Sequence, residues 1–148
     1  MKLFSREPCN CIIIIGCGRL GSALADSYSE QNQQVSIVDI NENAFKNLQP
    51  SYQGFSIEGD GTDTDTLELA GIRSSDVLIS VTDDDDANIM ITQIAKQHYH
   101  VNQVFARVYD TTKNVSYDQM DIHVICPVLL SVNEVEKVLL IGREEQAV

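Results

Sequence analysis

Apolar residues occur in short unbroken runs separated by stretches of helical spacing, and the two kinds of segment alternate along the chain. The run at 11–15 is apolar at every position. A strand covered on both faces requires this, whereas a surface strand would alternate. Runs at 34–39, 54–58, 76–81, 104–108 and 123–126 read as five further strands. Helical segments are expected between them, at 19–32, at 42–48 before Pro50, and at 64–70, where Thr62 or Asp63 supplies an N-cap and Gly71 a stop. After the fourth run, Ala87, Met90, Ile91, Ile94 and Ala95 follow helical spacing, and a helix at 111–119 is expected before the sixth. Such alternation predicts an α/β fold: a Rossmann-like, doubly wound, six-stranded parallel sheet with helices on both faces.

The junction after the first strand carries the chemistry. Gly16-Cys17-Gly18-Arg19-Leu20-Gly21 is a G-x-G-x-x-G turn leading directly into a helix. Gly16 allows the tight turn, Gly18 lets backbone approach a diphosphate, and Gly21 lets the helix sit close to the sheet. The helix N-terminus adds unpaired amides and a partial positive charge. The second strand ends at Asp39, eighteen positions after Gly21, where a carboxylate accepts ribose hydroxyls and would repel the 2′-phosphate of NADP(H). The alternative role for Asp39 is to cap the helix that starts near Glu42.

Composition narrows the class of ligand and partner. A length of 148 residues with 43% apolar content fits one domain with a full core and leaves no room for a separate catalytic one. A net charge of −12 argues against nucleic acid or anionic lipid as a partner. There is no apolar run long enough to span a membrane, and the charged, proline-containing start is unlike a secretion signal, so a cytosolic protein is expected. Cysteines at 9, 11, 17 and 126 lack zinc-site spacing and read as reduced thiols. Cys17, between two glycines at a helix N-terminus, is a candidate for a lowered pKa and some redox reactivity. The aspartates at 83–86 could hold a divalent ion, but carboxylates before a helix more simply cap it. The three histidines, His98, His100 and His123, suggest no catalytic role, and no nucleophile, base and orienting acid can be assembled.

Several motifs in order carry a more specific likeness: Gly16–Gly21, Val38-Asp39-Ile40-Asn41, Gly59-Asp60-Gly61-Thr62, Ala70-Gly71-Ile72, Thr82-Asp83-Asp84 with Asn88, Ala106-Arg107-Val108 and Ile125-Cys126-Pro127. Together they resemble the nucleotide-binding N-terminal domain of bacterial Trk/Ktr-type potassium-transport regulators, the RCK or KTN domains. The resemblance covers nearly the whole chain. It implies a non-enzymatic regulatory subunit that binds NAD(H), ADP or ATP and gates a membrane potassium transporter or channel, as a dimer or higher ring at the inner face of the cell membrane. It places Arg19 beside the phosphates, Asp39 on the ribose, Asp60 to Thr62 around the adenosine, Thr82 and Asp83 as the wall after the fourth strand, and Arg107 facing the site from the fifth. Arg19 as a solvent-exposed helix residue and Arg107 as a core-edge arginine paired with an acid are the plainer alternatives. Many Ktr-type members carry a glutamate where this chain has Val128, which argues against cation-assisted ATP binding. The family often adds a further domain, so the chain is either a short single-domain subunit or part of a longer one.

Residues 128–142 form the last helix, with Val128, Val132, Val135 and Leu139 on one face and Leu130, Val138 and Ile141 on another. One stripe suffices to pack on the chain's own sheet, so the second predicts a partner, and a homodimer through this helix is expected. Two other functions fit the glycine turn alone: an NAD-dependent oxidoreductase or its detached nucleotide domain, and an S-adenosylmethionine-dependent enzyme.

Overall fold

The computed structural model describes residues 10–113 and 117–146. Cys9, the charged start of the chain and the middle of the helix expected at 111–119 lie outside them. Six strands, β1 (Cys11–Ile15), β2 (Gln34–Asp39), β3 (Phe55–Glu58), β4 (Val77–Ser80), β5 (Gln103–Arg107) and β6 (His123–Ile125), form one sheet in the order β3-β2-β1-β4-β5-β6. Every pairing is parallel, so the expected fold is the observed one.

β1 lies at the centre because it is the run with no polar position to leave in water. Ile12 pairs with Val35 on one side and Val77 on the other. Ile13 and Ile15 point into a core shared with α2 (Thr64–Leu69) and α3 (Asp85–Gln93), while Ile12 and Ile14 point into a second core under α1 (Arg19–Glu30). Each buried isoleucine contributes roughly 1.5–3 kcal/mol of transfer free energy, and four in one strand make β1 the axis of both cores. The chain leaves β1 toward β2 and β3, then returns to the other side of β1 for β4. The carboxyl ends of β1 and β4 therefore flank the crevice where strand order reverses.

Three helical expectations are revised and one, the cap of α2, is narrowed. Residues Glu42–Asn47 form a 3-10 helix capped by the Asn41 side chain, which accepts the Asn43 amide, and Leu48 returns to extended geometry ahead of Pro50. α2 is capped by Asp63 rather than Thr62, because Thr62 donates its hydroxyl to Asp60. The described parts of 111–119 are single 3-10 turns, at Thr111–Lys113 and, overlapping the end of the stretch, Asp118–Met120. Asp110 holds the Thr112 amide and hydroxyl in a local turn that competes with helix, and Asp121 (φ 56°) ends the second turn in left-handed geometry. Finally, α4 (Pro127–Gln146) starts with proline at its first position and leaves both of its apolar stripes in water. Val128, Leu130, Val132, Val135, Val138, Leu139, Leu140 and Ile141 are 44–60% exposed. The expectation that one stripe packs on the sheet is not met.

Candidate functional site

At the switch point the carboxyl ends of β1 to β4 surround a cleft of about 690 Å³, a size typical of small-molecule sites. Its floor is the turn after β1. Gly16 has φ +104°, and a Cβ there would stand 2.8 Å from the Val81 carbonyl oxygen, so only glycine fits. A Cβ on Gly21 would fall on the Gly16 carbonyl oxygen, which fixes how closely α1 approaches the sheet. Gly18 is different: a Cβ there meets nothing within 4 Å. The protein itself does not need that glycine, and the open space beside its backbone is available to a ligand.

The N-terminus of α1 is left unsatisfied, with no side-chain cap and no acidic residue in its first turn. α2 and α3 begin quite differently. Asp63 caps the first, Asp84 caps the second by accepting the Asp86 and Ala87 amides, and further aspartates follow in both first turns. The amides left free for an anion are therefore those of α1 and not those of α2 or α3.

Opposite the glycine turn, Asp39 accepts the Cys17 amide through one carboxylate oxygen and the Asn41 amide through the other, each at 2.8 Å. Asn41, not Asp39, is the cap of the 3-10 helix. A carboxylate has about four acceptor positions, so two remain for vicinal hydroxyls. Asp60 accepts the Thr62 amide and hydroxyl, and those bonds hold its acid below the usual carboxylate range. Gly61 is packed against Ile15, which brings this loop over the end of β1.

Of the residues singled out from sequence, Gly16, Cys17, Gly18, Asp39, Ile40, Asn41, Asp60, Gly61, Thr62, Thr82 and Asp83 line the cleft. Leu20, Gly21, Arg19 and Arg107 do not. Leu20 packs into the core under α1, and Arg19 is exposed on the first turn of that helix. Arg107, only 8% exposed, lies behind the wall, donating to the Thr82 carbonyl at 3.1 Å, 3.5 Å from the Asp83 carboxylate, and resting over the Tyr109 ring. Its Nε has no partner.

Cys17 does not have the activated thiol expected of its position. Its side chain is buried in the core under α1, and burial, with the Asp39 and Asp26 carboxylates nearby, pushes the thiol up to about 11. The acidic run is also accounted for. Asp84 caps α3, Asp85 accepts the Tyr109 and Asp110 amides, Asp86 pairs with Lys113, and Asp83 faces Arg107. Among the described residues no cluster of three or more metal-binding side chains forms.

Two residues that hold the walls carry little or no sequence signal. Asn47 donates to the Cys17 carbonyl and pins the glycine turn from outside, and nothing in its spacing announces this. Asn88, fully buried, accepts from the Ser80 hydroxyl and from the amide and hydroxyl of Thr82, and donates to the Thr82 and Arg107 carbonyls. Its signal is its place with the Thr82-Asp83-Asp84 motif and a lone amide on the apolar face that also carries Ile91 and Ala95, neither of which shows how many bonds it makes. A second cleft of about 420 Å³ opens at the other end of β1 to β3, but its one glycine, Gly71, opens no G-x-G-x-x-G turn and no carboxylate lines it among the described residues, and ligands of such sheets bind at the carboxyl ends.

The TrkA-N domain model matches residues 12–127, from the second residue of β1 to the first of α4. The chain belongs to the TrkA-N domain family. A Trk system potassium uptake protein TrkA from Streptomyces coelicolor is 33% identical over 129 residues, covering 87% of this chain and 58% of the relative. This TrkA-N chain thus spans little more than half the length of that relative. Among solved structures, the C-terminal domain of Kef from Shewanella denitrificans in its AMP-bound form superposes with a TM-score of 0.69 at 25% identity, covering 90% of this chain and 82% of that one. GsuK bound to ADP gives a TM-score of 0.68 at 26% identity, covering 88% of this chain and 34% of that one. The fold and the family are those expected from the motifs.

Proposed function

We propose that this TrkA-N domain is a nucleotide-sensing cytosolic regulator of a membrane potassium transporter or channel, acting through ligand occupancy rather than turnover. The carrying observation is the cleft itself: uncapped α1 amides and an open Gly18 at one end, the Asp39 and Asp60 carboxylates at the other. That arrangement suits a diphosphate joined to an adenosine ribose, and two neighbours at about one quarter identity hold AMP and ADP. NAD(H), ADP and ATP all contain that unit. Asp39 disfavours NADP(H), since among the described residues no lysine, arginine or histidine lines the cleft to neutralise a 2′-phosphate.

Link to potassium comes from the named function of the Streptomyces relative. Among the described residues no helix is long and apolar enough to cross a membrane, so transport itself is assigned to a membrane part outside them. α4 is the proposed dimer surface. Its eight exposed apolar side chains present several hundred Å² of apolar area, about what one side of a standard interface buries.

Calorimetric titration with NAD, NADH, ADP, ATP and S-adenosylmethionine tests the binding half. The adenine nucleotides should bind, and Asp39→Ala should weaken them by about 3 kcal/mol, roughly a hundredfold, through lost bonds to a charged acceptor. Equal affinity in the variant removes Asp39 from the site, and selective binding of S-adenosylmethionine removes the regulator reading. Potassium uptake by deficient cells, with and without this chain alongside a Trk-type membrane subunit, tests the rest.

A further inference from the structure

Four carboxylates, Asp39, Asp60, Asp83 and Asp84, line the cleft, with no cationic side chain among them. The cations nearby are committed elsewhere. Arg107 is held by the Thr82 carbonyl, Asp83 and the Tyr109 ring, and Lys113 by Asp86. Among the described residues Arg19 is the one cation on the glycine turn itself, exposed at the start of α1. A diphosphate bound here is gripped by backbone amides, whose dipoles supply hydrogen bonds but no full charge.

We propose that the cleft selects esterified diphosphates, the NAD(H) and ADP-ribose class, over free ADP and ATP. The inference rests on the reading of the cleft as an adenine nucleotide site. Esterifying the second phosphate keeps both phosphates for the amides while removing charge: an esterified diphosphate carries about two negative charges, ADP about three and ATP about four. Four carboxylates, less Arg19 and the Arg107 that pairs with Asp83, leave a net of about two negative charges around the ligand. At a mean separation of about 8 Å in water, each added ligand charge weakens binding about twofold at 0.15 M salt and about fourfold at 0.01 M.

ADP-ribose isolates the effect, because it shares adenosine and diphosphate with ADP and lacks the nicotinamide ring. The experiment is calorimetry with ADP-ribose, ADP and ATP in magnesium-free buffer at both salt concentrations, on the natural chain and on Asp83→Asn. Asp83 is fully exposed and caps no helix, so the substitution leaves the fold intact. At low salt ADP should bind about fourfold and ATP about fifteenfold more weakly than ADP-ribose, with both gaps narrowing at higher salt. Asp83→Asn should cut the ATP gap about fourfold. ADP or ATP binding as tightly as ADP-ribose at low salt overturns the selectivity and leaves the nucleotide site standing. So does a gap that neither salt nor Asp83→Asn alters. Failure of all three ligands to bind overturns the nucleotide reading and the selectivity with it.

Discussion

Gly18→Ala separates what a glycine does for the ligand from what it does for the fold. Gly18 has φ −80° and ψ −157°, an extended conformation open to alanine, and its added methyl would touch nothing within 4 Å. The folded protein should therefore lose nothing, and the lower entropy of the unfolded chain should stabilise it by about 0.4–1 kcal/mol. The ligand should suffer. A methyl group in the space where a diphosphate meets the turn displaces about two charge-assisted amide bonds worth about 1.5–3 kcal/mol each, which weakens binding by roughly two to four orders of magnitude. Gly21→Ala is the opposite case, because its methyl falls on the Gly16 carbonyl and must push α1 away, at a cost of about 1–3 kcal/mol or more. Thermal unfolding and NADH titration on the two variants give the comparison. A Gly18→Ala protein that is stable and binds nucleotide like the natural chain would show that no phosphate lies against this turn.

Three further outcomes follow from the same geometry. Asn88→Ala strips the buried Ser80 and Thr82 donors and the Arg107 carbonyl of their partner, and should cost about 3 kcal/mol, a fall of about 10 °C in Tm; a shift under 2 °C would mean that water replaces the amide. Cys17 should resist iodoacetamide at pH 8 in the folded chain and react on unfolding, and rapid labelling of the folded chain would contradict its burial. Its thiol titrates near 11 when folded against an ordinary 9.0, so the unfolded chain loses the proton first. That contribution to stability is fully present below pH 9 and is lost as pH rises toward 11, as unfolding monitored by circular dichroism across that range would register. Paired Val135→Glu and Leu139→Glu substitutions in α4 should convert a dimer to a monomer in light scattering, whereas a natural chain already monomeric at micromolar concentration would remove the dimer.

The parallel sheet was readable because a doubly covered strand leaves a period-free signature, and 11–15 shows it without a polar interruption. Gly16 and Gly21 were readable because backbone geometry alone excludes other residues there. Side-chain direction was not readable in the same way. Arg107 at the end of β5 could face the cleft or the wall, and the choice depends on the Thr82 carbonyl and the Tyr109 ring, which come close only after β4 and β5 have paired. The reactivity expected of Cys17 considered the helix end and missed that its side chain turns inward, with two carboxylates close by. At 111–119, helical propensity competed with a local aspartate turn from Asp110 to Thr112, and propensity is the weaker prior.

One sequence feature separates α1 from the other two helices that open onto the sheet's carboxyl edge, and it bears on how an acidic chain would accommodate phosphate. α2 starts Asp-Thr-Asp and α3 starts Asp-Asp-Asp, so each brings its own anions to its amides. α1 starts Gly-Arg-Leu-Gly and brings none. An uncapped helix end is unfavourable in the empty protein, and a bound anion relieves that cost. On the proposed reading, part of a nucleotide's affinity comes from a deficiency that α1 has and α2 and α3 lack. Capping α1 with an aspartate at position 18 should raise the stability of the empty chain and abolish its gain in Tm on adding NADH, a pair of shifts that a merely tolerated glycine would not produce.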